Sequence, residues 1–513
     1  MMSNKRIIVD RLDGECWWGG DIEDGIRMPL GEENHARDLI RDGRSNQAVP
    51  FLLSSRGRYI WSEEPIRYVF EQGRIEVECD TGRVELREGF GSLREAFRAA
   101  ASAHFAPDGN MPDPLFFTAP QYNLWIELQY EPTQEKVLRY AEDVLSNGLP
   151  PGILMIDDNW MEDYGVWTFR RDRFPDPKAM CRRLHEMGFK VMLWTCPFVS
   201  PDNAANFRFL ERQDYLLRDA KGEIAIRRWW NGYSAVLDCT NEAAVGWFHG
   251  ELARLMDEYG IDGFKLDAGD PQFYRADDRS CEPVHPNGHC EAWARVGLRY
   301  ALNEYRACWK SAGRPLVQRL ADKNHSWGAD GLASLVPNGL AQGLSGYAFA
   351  CPDMIGGGQI ADVENQPDRQ VEQELFVRYA QCSALFPMMQ FSAAPWRVLD
   401  DQHLAACVAA GELHRALGSE IITLAKHAAL TGEPIIRHMA YVFPGQGFER
   451  TTDQFMLGDT ILAAPVLEQG ARSRLVAFPP GTWQGDDGSV VSGPCTREVE
   501  APLARLPWYR LIG

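Results

Sequence analysis

Gly263-Phe264-Lys265-Leu266-Asp267-Ala268-Gly269-Asp270 is an apolar run that carries one Lys and ends in a carboxylate, two small residues and a second carboxylate. Burying a carboxylate in or beside an apolar strand is costly unless it is paired. At the C-terminal tip of a strand it can face a cleft instead, and barrel enzymes place their chemistry there. An Asp capping the helix that follows a strand gives the same local pattern. The chain on either side of the octet decides between the two readings.

Around the octet, short apolar runs alternate with amphipathic helical stretches. Candidate strands lie at 124–126, 153–156, 191–194, 264–266, 316–319, 346–349, 388–391 and 434–437, and helical periodicity spans 133–147, 178–187, 242–259 and 291–311. Eight strands alternating with helices predict a (β/α)8 TIM barrel over residues 113–442. Before it, Arg74-Ile75-Glu76-Val77-Glu78 and Arg83-Val84-Glu85-Leu86 alternate with period two between glycines. This predicts an N-terminal antiparallel β-sandwich over 1–112, and Pro107, Pro112, Pro114 and Pro120 mark its boundary. After about residue 443 helical periodicity ends. Strand-like segments at 456–458, 461–466 and 475–478, with a turn at Gly481-Thr482-Trp483, predict a small C-terminal β domain over 443–513. The fold class is thus multidomain, α/β in the centre and β at both ends.

A chain of 513 residues is long enough for three such domains. Its net charge of −19, from 53 basic and 72 acidic residues, argues against nucleic acid or an anionic membrane as a partner, since both need basic patches. No apolar run approaches the roughly 20 residues of a membrane span. Residues 1–10 hold a Lys-Arg pair and only three apolar residues after it, too few for a signal-peptide core. Twelve Cys without CxxC pairs fit a reducing compartment, so a cytoplasmic location is expected. Cys281, His285, His289 and Cys290 are the one local group with metal-ligating chemistry. Pro286-Asn287-Gly288 reads as a turn between the two His, and the spacing fits no common zinc module, so neither metal nor cofactor is expected. A homo-oligomer is compatible with the sequence.

In such a barrel the strand C-termini line one pocket. The strand ends supply Asp157-Asp158-Asn159-Trp160, then Trp194, Cys196 and Pro197, then Asp267 and Asp270. Arg319 and Asp322 follow, then Asp353 with Gly356-Gly357-Gly358, and finally Gln390, Ser392 and Trp396. Carboxylates and Arg pair with vicinal hydroxyls, and Trp faces stack on a sugar ring, so a glycoside or small oligosaccharide is the expected partner. Glycoside hydrolysis needs two carboxyl groups flanking one bond. Asp267 and Asp322, at the ends of adjacent strands, supply such a pair, with a separation of about 5–5.5 Å in a retaining enzyme.

At this point the chain resembles glycoside hydrolase family 31, the retaining α-glycosidases, over residues 120–485. Phe169 to Pro177 with Leu184 to Val191 resembles the family's helix between its second and third strands. The octet resembles the nucleophile strand, and Asp322-Lys323-Asn324-His325-Ser326-Trp327 the acid/base loop. Ser345-Gly346-Tyr347 through Asp353-Met354-Ile355-Gly356-Gly357 resembles the next strand, and Gln454 through Val466 is similar to the C-terminal signature. The resemblance implies that Asp267 is the nucleophile and Asp322 the general acid/base. Asp157, Asp158, Arg319, Asp353 and Ser392 would bind sugar hydroxyls, with Trp194 and the Trp229-Trp230 pair as walls and Lys265 beside the nucleophile. Core packing of Trp229-Trp230, a Lys265–Asp270 ion pair, a loop-capping His325 and a domain-interface place for Trp17-Trp18 stand as alternatives.

Where the α-glucosidases of the family carry Arg-x-His, this chain has Gln390-Phe391-Ser392; its Arg319–Asp322 loop is short, and the second strand ends in Asp157-Asp158. These features resemble the α-galactosidase-type branch. The expected activity is a retaining, exo-acting α-galactosidase working through a glycosyl-aspartate. Specificity for an α-glucoside, α-xyloside or α-N-acetylgalactosaminide, and transglycosylation, remain alternatives. A non-catalytic carbohydrate-binding protein is a more remote one.

Overall fold

The structure, a computed structural model, describes residues 5–41, 47–364 and 370–513. Eight parallel strands make the central sheet: β1 (Gln121–Asn123), β2 (Ile153–Ile156), β3 (Lys190–Thr195), β4 (Gly263–Leu266), β5 (Asn303–Tyr305), β6 (Gln318–Arg319), β7 (Ala350–Cys351) and β8 (Gln390–Phe391). They run in the order β7-β6-β5-β4-β3-β2-β1-β8. The Ile355 N–H donates to the Gln390 carbonyl at 2.8 Å, drawing β7 and β8 together and nearly closing the barrel. Strands such as β2 (Ile-Leu-Met-Ile) are buried at every position, as parallel strands covered on both faces must be.

The count of eight is met by a different set of segments. The first strand lies just ahead of residues 124–126, because the Asn123 side chain accepts from the Trp125 N–H at 3.0 Å and starts a helical turn, Trp125–Leu128. β5 falls inside the expected helix 291–311. That helix is Pro286–Val296, and a 3-10 turn, Gly297–Arg299, ends it. Tyr305 fixes the break: its hydroxyl accepts from the Gly297 N–H at 2.7 Å and donates to the Trp293 carbonyl at 2.9 Å. The segment 434–437 is no barrel strand. Ile436–Arg437 pairs antiparallel with Phe455–Leu457 and opens the C-terminal sheet.

Two antiparallel sheets form the N-terminal part. One has the order Arg6–Asp10, Arg74–Glu78, Arg67–Glu71, His35–Asp38; the other is built around Gln47–Ser54. Cys308–Trp309, from the barrel, pairs in parallel with Gln47 and Ala48. The Gln47 side chain donates to the Arg319 carbonyl, so this sheet braces β6. Trp17 and Trp18 are buried, Trp18 edge-on to His438 at 5.2 Å, which puts them in the domain interface. Six antiparallel strands form the C-terminal domain. There the expected turn at Gly481-Thr482-Trp483 is part of a long strand, Ser473–Gly485, bulged between Phe478 and Gly481. No described helix is long and apolar enough to cross a membrane.

Candidate active site

A cavity of about 290 Å³ opens at the C-terminal ends of the barrel strands. Eight of the residues singled out from the sequence line it: Asp157, Asp158, Trp194, Trp230, Lys265, Asp267, Arg319 and Asp322. Trp125 and Tyr130 after β1, Arg306 after β5, and Met354 with Gly358, Gln359 and Ile360 after β7 complete the lining. Asp353 and Ser392 stand behind the wall. Asp353 is buried, accepting from Arg319 Nη1 at 2.7 Å and from the Lys323 N–H at 2.6 Å. The Ser392 hydroxyl accepts from the Ile126 N–H at 2.8 Å and so shapes the β1 loop.

The backbone turns sharply after β4. Ala268 and Gly269 both take left-handed conformations, φ 58° and 76°, the first of them unfavourable for a residue with a side chain. A Cβ at Gly269 would fall 2.2 Å from Trp293 Cδ1, so only glycine fits. The turn leaves Asp267 in the cavity and tucks Asp270 beneath it, fully buried.

Asp267 accepts from Trp194 Nε1 at 2.9 Å. Burial alone pushes its carboxyl up, but Arg306, then Lys265 and Arg319, outweigh that and hold it well below the usual carboxylate range. It is a buried anion, the charge state of a nucleophile. Lys265 pairs with Asp157, Nζ to Oδ2 at 2.8 Å, and not with Asp270. Burial works against its charge, yet Asp157 and Asp267 keep it above the ordinary lysine value. Burial and the neighbouring Asp157 push Asp158 up to about 7. The Tyr164 hydroxyl at 3.2 Å and Asn231 Nδ2 at 2.7 Å donate to it.

Asp322 keeps 22% side-chain exposure at the mouth. Burial pushes its carboxyl up; Arg319, at 2.7 Å, and Arg306, at 3.7 Å, outweigh this and lower it. These two cations therefore hold Asp322 ionised, where a proton donor needs the opposite shift.

Asp267 and Asp322 do not end adjacent strands. β5 lies between β4 and β6, and it supplies two groups that the sequence reading missed. Arg306 puts Nε 3.5 Å from Asp267, Nη2 3.0 Å from Asp270 and Nη1 3.7 Å from Asp322, under the ring of Trp230 at 5.1 Å. Glu304, fully buried below the cavity, accepts from Gln390 Nε2 at 2.6 Å and lies 3.5 Å from Arg319 Nε. Both sit in a segment read as helix. The sequence set neither apart, because Arg299, Asn303, Glu304 and Arg306 recur through a stretch with helical periodicity.

Of the tryptophan pair, Trp229 is core, stacked on Phe198 at 4.2 Å, while Trp230 is 43% exposed and forms a wall. His325 ties loops together, bonding the Gly356 carbonyl at 2.7 Å and accepting from the Glu372 N–H at 2.8 Å. The segment 286–288, read as a turn, is the first turn of a helix that His285 caps, accepting from the Gly288 N–H at 3.1 Å. His289 stacks on Tyr274 at 4.6 Å, and Cys281 is exposed. Among the described residues no group of three or more His, Cys, Asp or Glu is placed to hold a metal ion.

A barrel with acidic and aromatic residues at its mouth and β domains on both sides has its counterpart among known proteins. Residues 117–409 match the glycosyl hydrolases family 31 TIM-barrel domain, and residues 432–510 match the family 31 C-terminal domain. The chain belongs to glycosyl hydrolase family 31. It is 34% identical over 402 residues to the mouse myogenesis-regulating glycosidase, covering 75% of this chain and 55% of that one. It is 25% identical over 491 residues to the α-xylosidase XylQ of Lactiplantibacillus pentosus, covering 88% and 60%. The GH31 dextranase of Flavobacterium johnsoniae, complexed with glucose, superposes with a TM-score of 0.87 at 21% identity, covering 99% of this chain and 66% of that one. The chain spans about half the length of the curated relatives it matches, 55% and 50% of the first two.

Proposed function

We propose that the chain is a retaining α-glycosidase that removes a terminal α-linked sugar, α-galactose foremost. Asp267 attacks the anomeric carbon as the bond from that carbon to the leaving oxygen breaks, and protonated Asp322 gives its proton to that oxygen. Water then attacks the glycosyl-aspartate ester, Asp322 takes up a proton from it, and Asp267 is released as carboxylate. The observation that carries this reading is the pair itself: a buried anion and a rim carboxylate in one cavity, both within reach of the single guanidinium of Arg306.

Asp157, Asp158 and Lys265 line the same cavity and bear on the choice of sugar. Lys265 donates and Asp157 accepts, while Asp158, raised to about 7, donates when protonated. Such a set suits an axial 4-hydroxyl with the neighbouring 6-hydroxyl. Support also comes from likeness to the mouse glycosidase. A second reading, an α-glucoside or α-xyloside, is favoured by relatives named α-glucosidase 2 and α-xylosidase, and transglycosylation by one named isomaltosyltransferase.

The test is a panel of aryl α-galactoside, α-glucoside, α-xyloside and α-N-acetylgalactosaminide, run with the native chain and Asp267→Asn. The expected result is preference for the galactoside, the α-anomer released first, and loss of turnover in the variant. Initial release of the β-anomer contradicts retention. Turnover of none of the panel favours a binding protein instead.

A further inference from the structure

Asp270 does not line the cavity, and its local pattern is that of a residue supporting a turn. Its side chain is fully buried; Oδ2 accepts from Arg306 Nη2 at 3.0 Å, and Oδ1 has no hydrogen-bond partner among the described residues. Seen from Arg306 the relationship is exclusive. Of the three carboxylates around that guanidinium, only Asp270 is within hydrogen-bond distance, Asp267 and Asp322 standing at 3.5 and 3.7 Å. Arg306 Nε is buried without a hydrogen bond, and its remaining support is the Trp230 ring at 5.1 Å. A flexible cation held at one point and loosely shared between two reacting groups has its place set by the anchor.

We infer that Asp270 is a positioning residue, whose bond to Arg306 holds that guanidinium midway between Asp267 and Asp322 and keeps it from closing on either. This rests on the reading of Asp267 and Asp322 as the reacting pair. The charged and titratable groups facing Arg306 and Asp270 are Asp267 from β4, Asp322 and Arg319 from β6 and its loop, Lys265 nearby, and Glu23 from the N-terminal part; Tyr274 and Cys290 are buried neighbours of Asp270. Without the Asp270–Arg306 bond, Asp267 and Asp322 are the carboxylates left beside Arg306 among the described residues. The guanidinium moves onto them, and both titrate at lower pH.

The test is Asp270→Asn, compared with Arg306→Gln and the double variant. The expected result is a fall in kcat of roughly tenfold or more with a smaller change in KM, and an alkaline limb displaced by about half a pH unit to lower pH. Since Asp270 acts through Arg306, adding Asp270→Asn to Arg306→Gln changes little further. A readout free of turnover is the carbon-13 titration of labelled aspartate carboxyls, with the Asp322 signal assigned by its loss in Asp322→Asn. Its midpoint is expected to fall in Asp270→Asn. A lower unfolding temperature with wild-type pH profile and Asp322 midpoint overturns the inference and leaves a turn support. So does a displacement to higher pH. Failure of the native chain to turn over any α-glycoside overturns the functional reading alone, because the carboxyl titration still reports on Asp270. If Asp270→Asn does not fold, Asp270→Glu, which keeps the charge, is expected to keep the native midpoint, and a displaced midpoint contradicts the inference.

Discussion

Arg319 Nη1 lies 2.7 Å from Asp322 Oδ1, so the carboxyl proposed as proton donor stands in an ion pair. Arg319 is fully buried and also bonds Asp353 at 2.7 Å, so it is the fixed partner and Asp322 the movable one. Catalysis requires substrate to weaken this contact and allow Asp322 to take a proton.

A pH signature follows. kcat/KM reports the free enzyme and kcat the occupied site. Since Arg319 and Arg306 lower Asp322 and a bound sugar would weaken those contacts, the alkaline limb of kcat is expected at higher pH than that of kcat/KM. Calorimetry of a neutral sugar ligand in two buffers of different ionisation enthalpy should show proton uptake near neutral pH. Coincident limbs with no uptake would count against a salt-bridged Asp322.

Trp194 donates to the nucleophile candidate at 2.9 Å and lies behind it as a buried wall. Trp194→Phe keeps most of the packing and removes the hydrogen bond. We expect kcat to fall about tenfold, the acid limb set by Asp267 to move to higher pH, and stability to drop by about 1–3 kcal/mol. Steady-state rates over pH and a denaturant titration check both.

Lys265 and Asp157 are each only 4% exposed. Removing one partner of such a pair leaves a buried charge uncompensated, at a cost of about 3–5 kcal/mol. Lys265→Met should therefore unfold at markedly lower denaturant concentration. Lys265→Met with Asp157→Asn should recover most of the stability and none of the activity. Recovery of activity would remove Lys265 from the site chemistry.

Asp158 carries the opposite sign. Its folded value near 7 lies above the 3.8 of the free side chain. The folded state thus holds its proton more tightly, and stability declines as pH rises from about 4 to about 7, then levels off. Asp158→Asn removes this decline. The unfolding temperature of the variant relative to the native chain should be higher at pH 8 than at pH 5. An unchanged difference between the two would mean that Asp158 is ionised throughout.

Much of this was legible in the sequence, for identifiable reasons. Ile153–Ile156 and the octet are apolar runs ending in Asp, and a parallel strand buried on both faces leaves that trace. β5 left none: Asn303-Glu304-Tyr305 is short and polar, and helical periodicity flows into it from Pro286–Val296. Missing it displaced every later strand by one and concealed Arg306, whose place between Asp267 and Asp322 only the fold reveals. Ser392 does follow a strand end, directly after Gln390–Phe391, yet it does not line the cavity. A backbone N–H from the β1 loop has already claimed its hydroxyl. Trp229 is the last, buried residue of the strand Ile226–Trp229, and Trp230 is the exposed turn residue after it, a boundary that only the fold reveals.

The central claim is that Asp267, the first carboxylate of the octet, attacks the sugar. A fluorinated α-galactosyl fluoride, which slows breakdown of a glycosyl-enzyme, followed by proteolysis and mass spectrometry of the labelled peptide, tests it most directly. The account predicts one fluorosugar per chain, esterified to Asp267 in the peptide containing residues 263–270. A label on another residue, or turnover with inversion and no label, would contradict it.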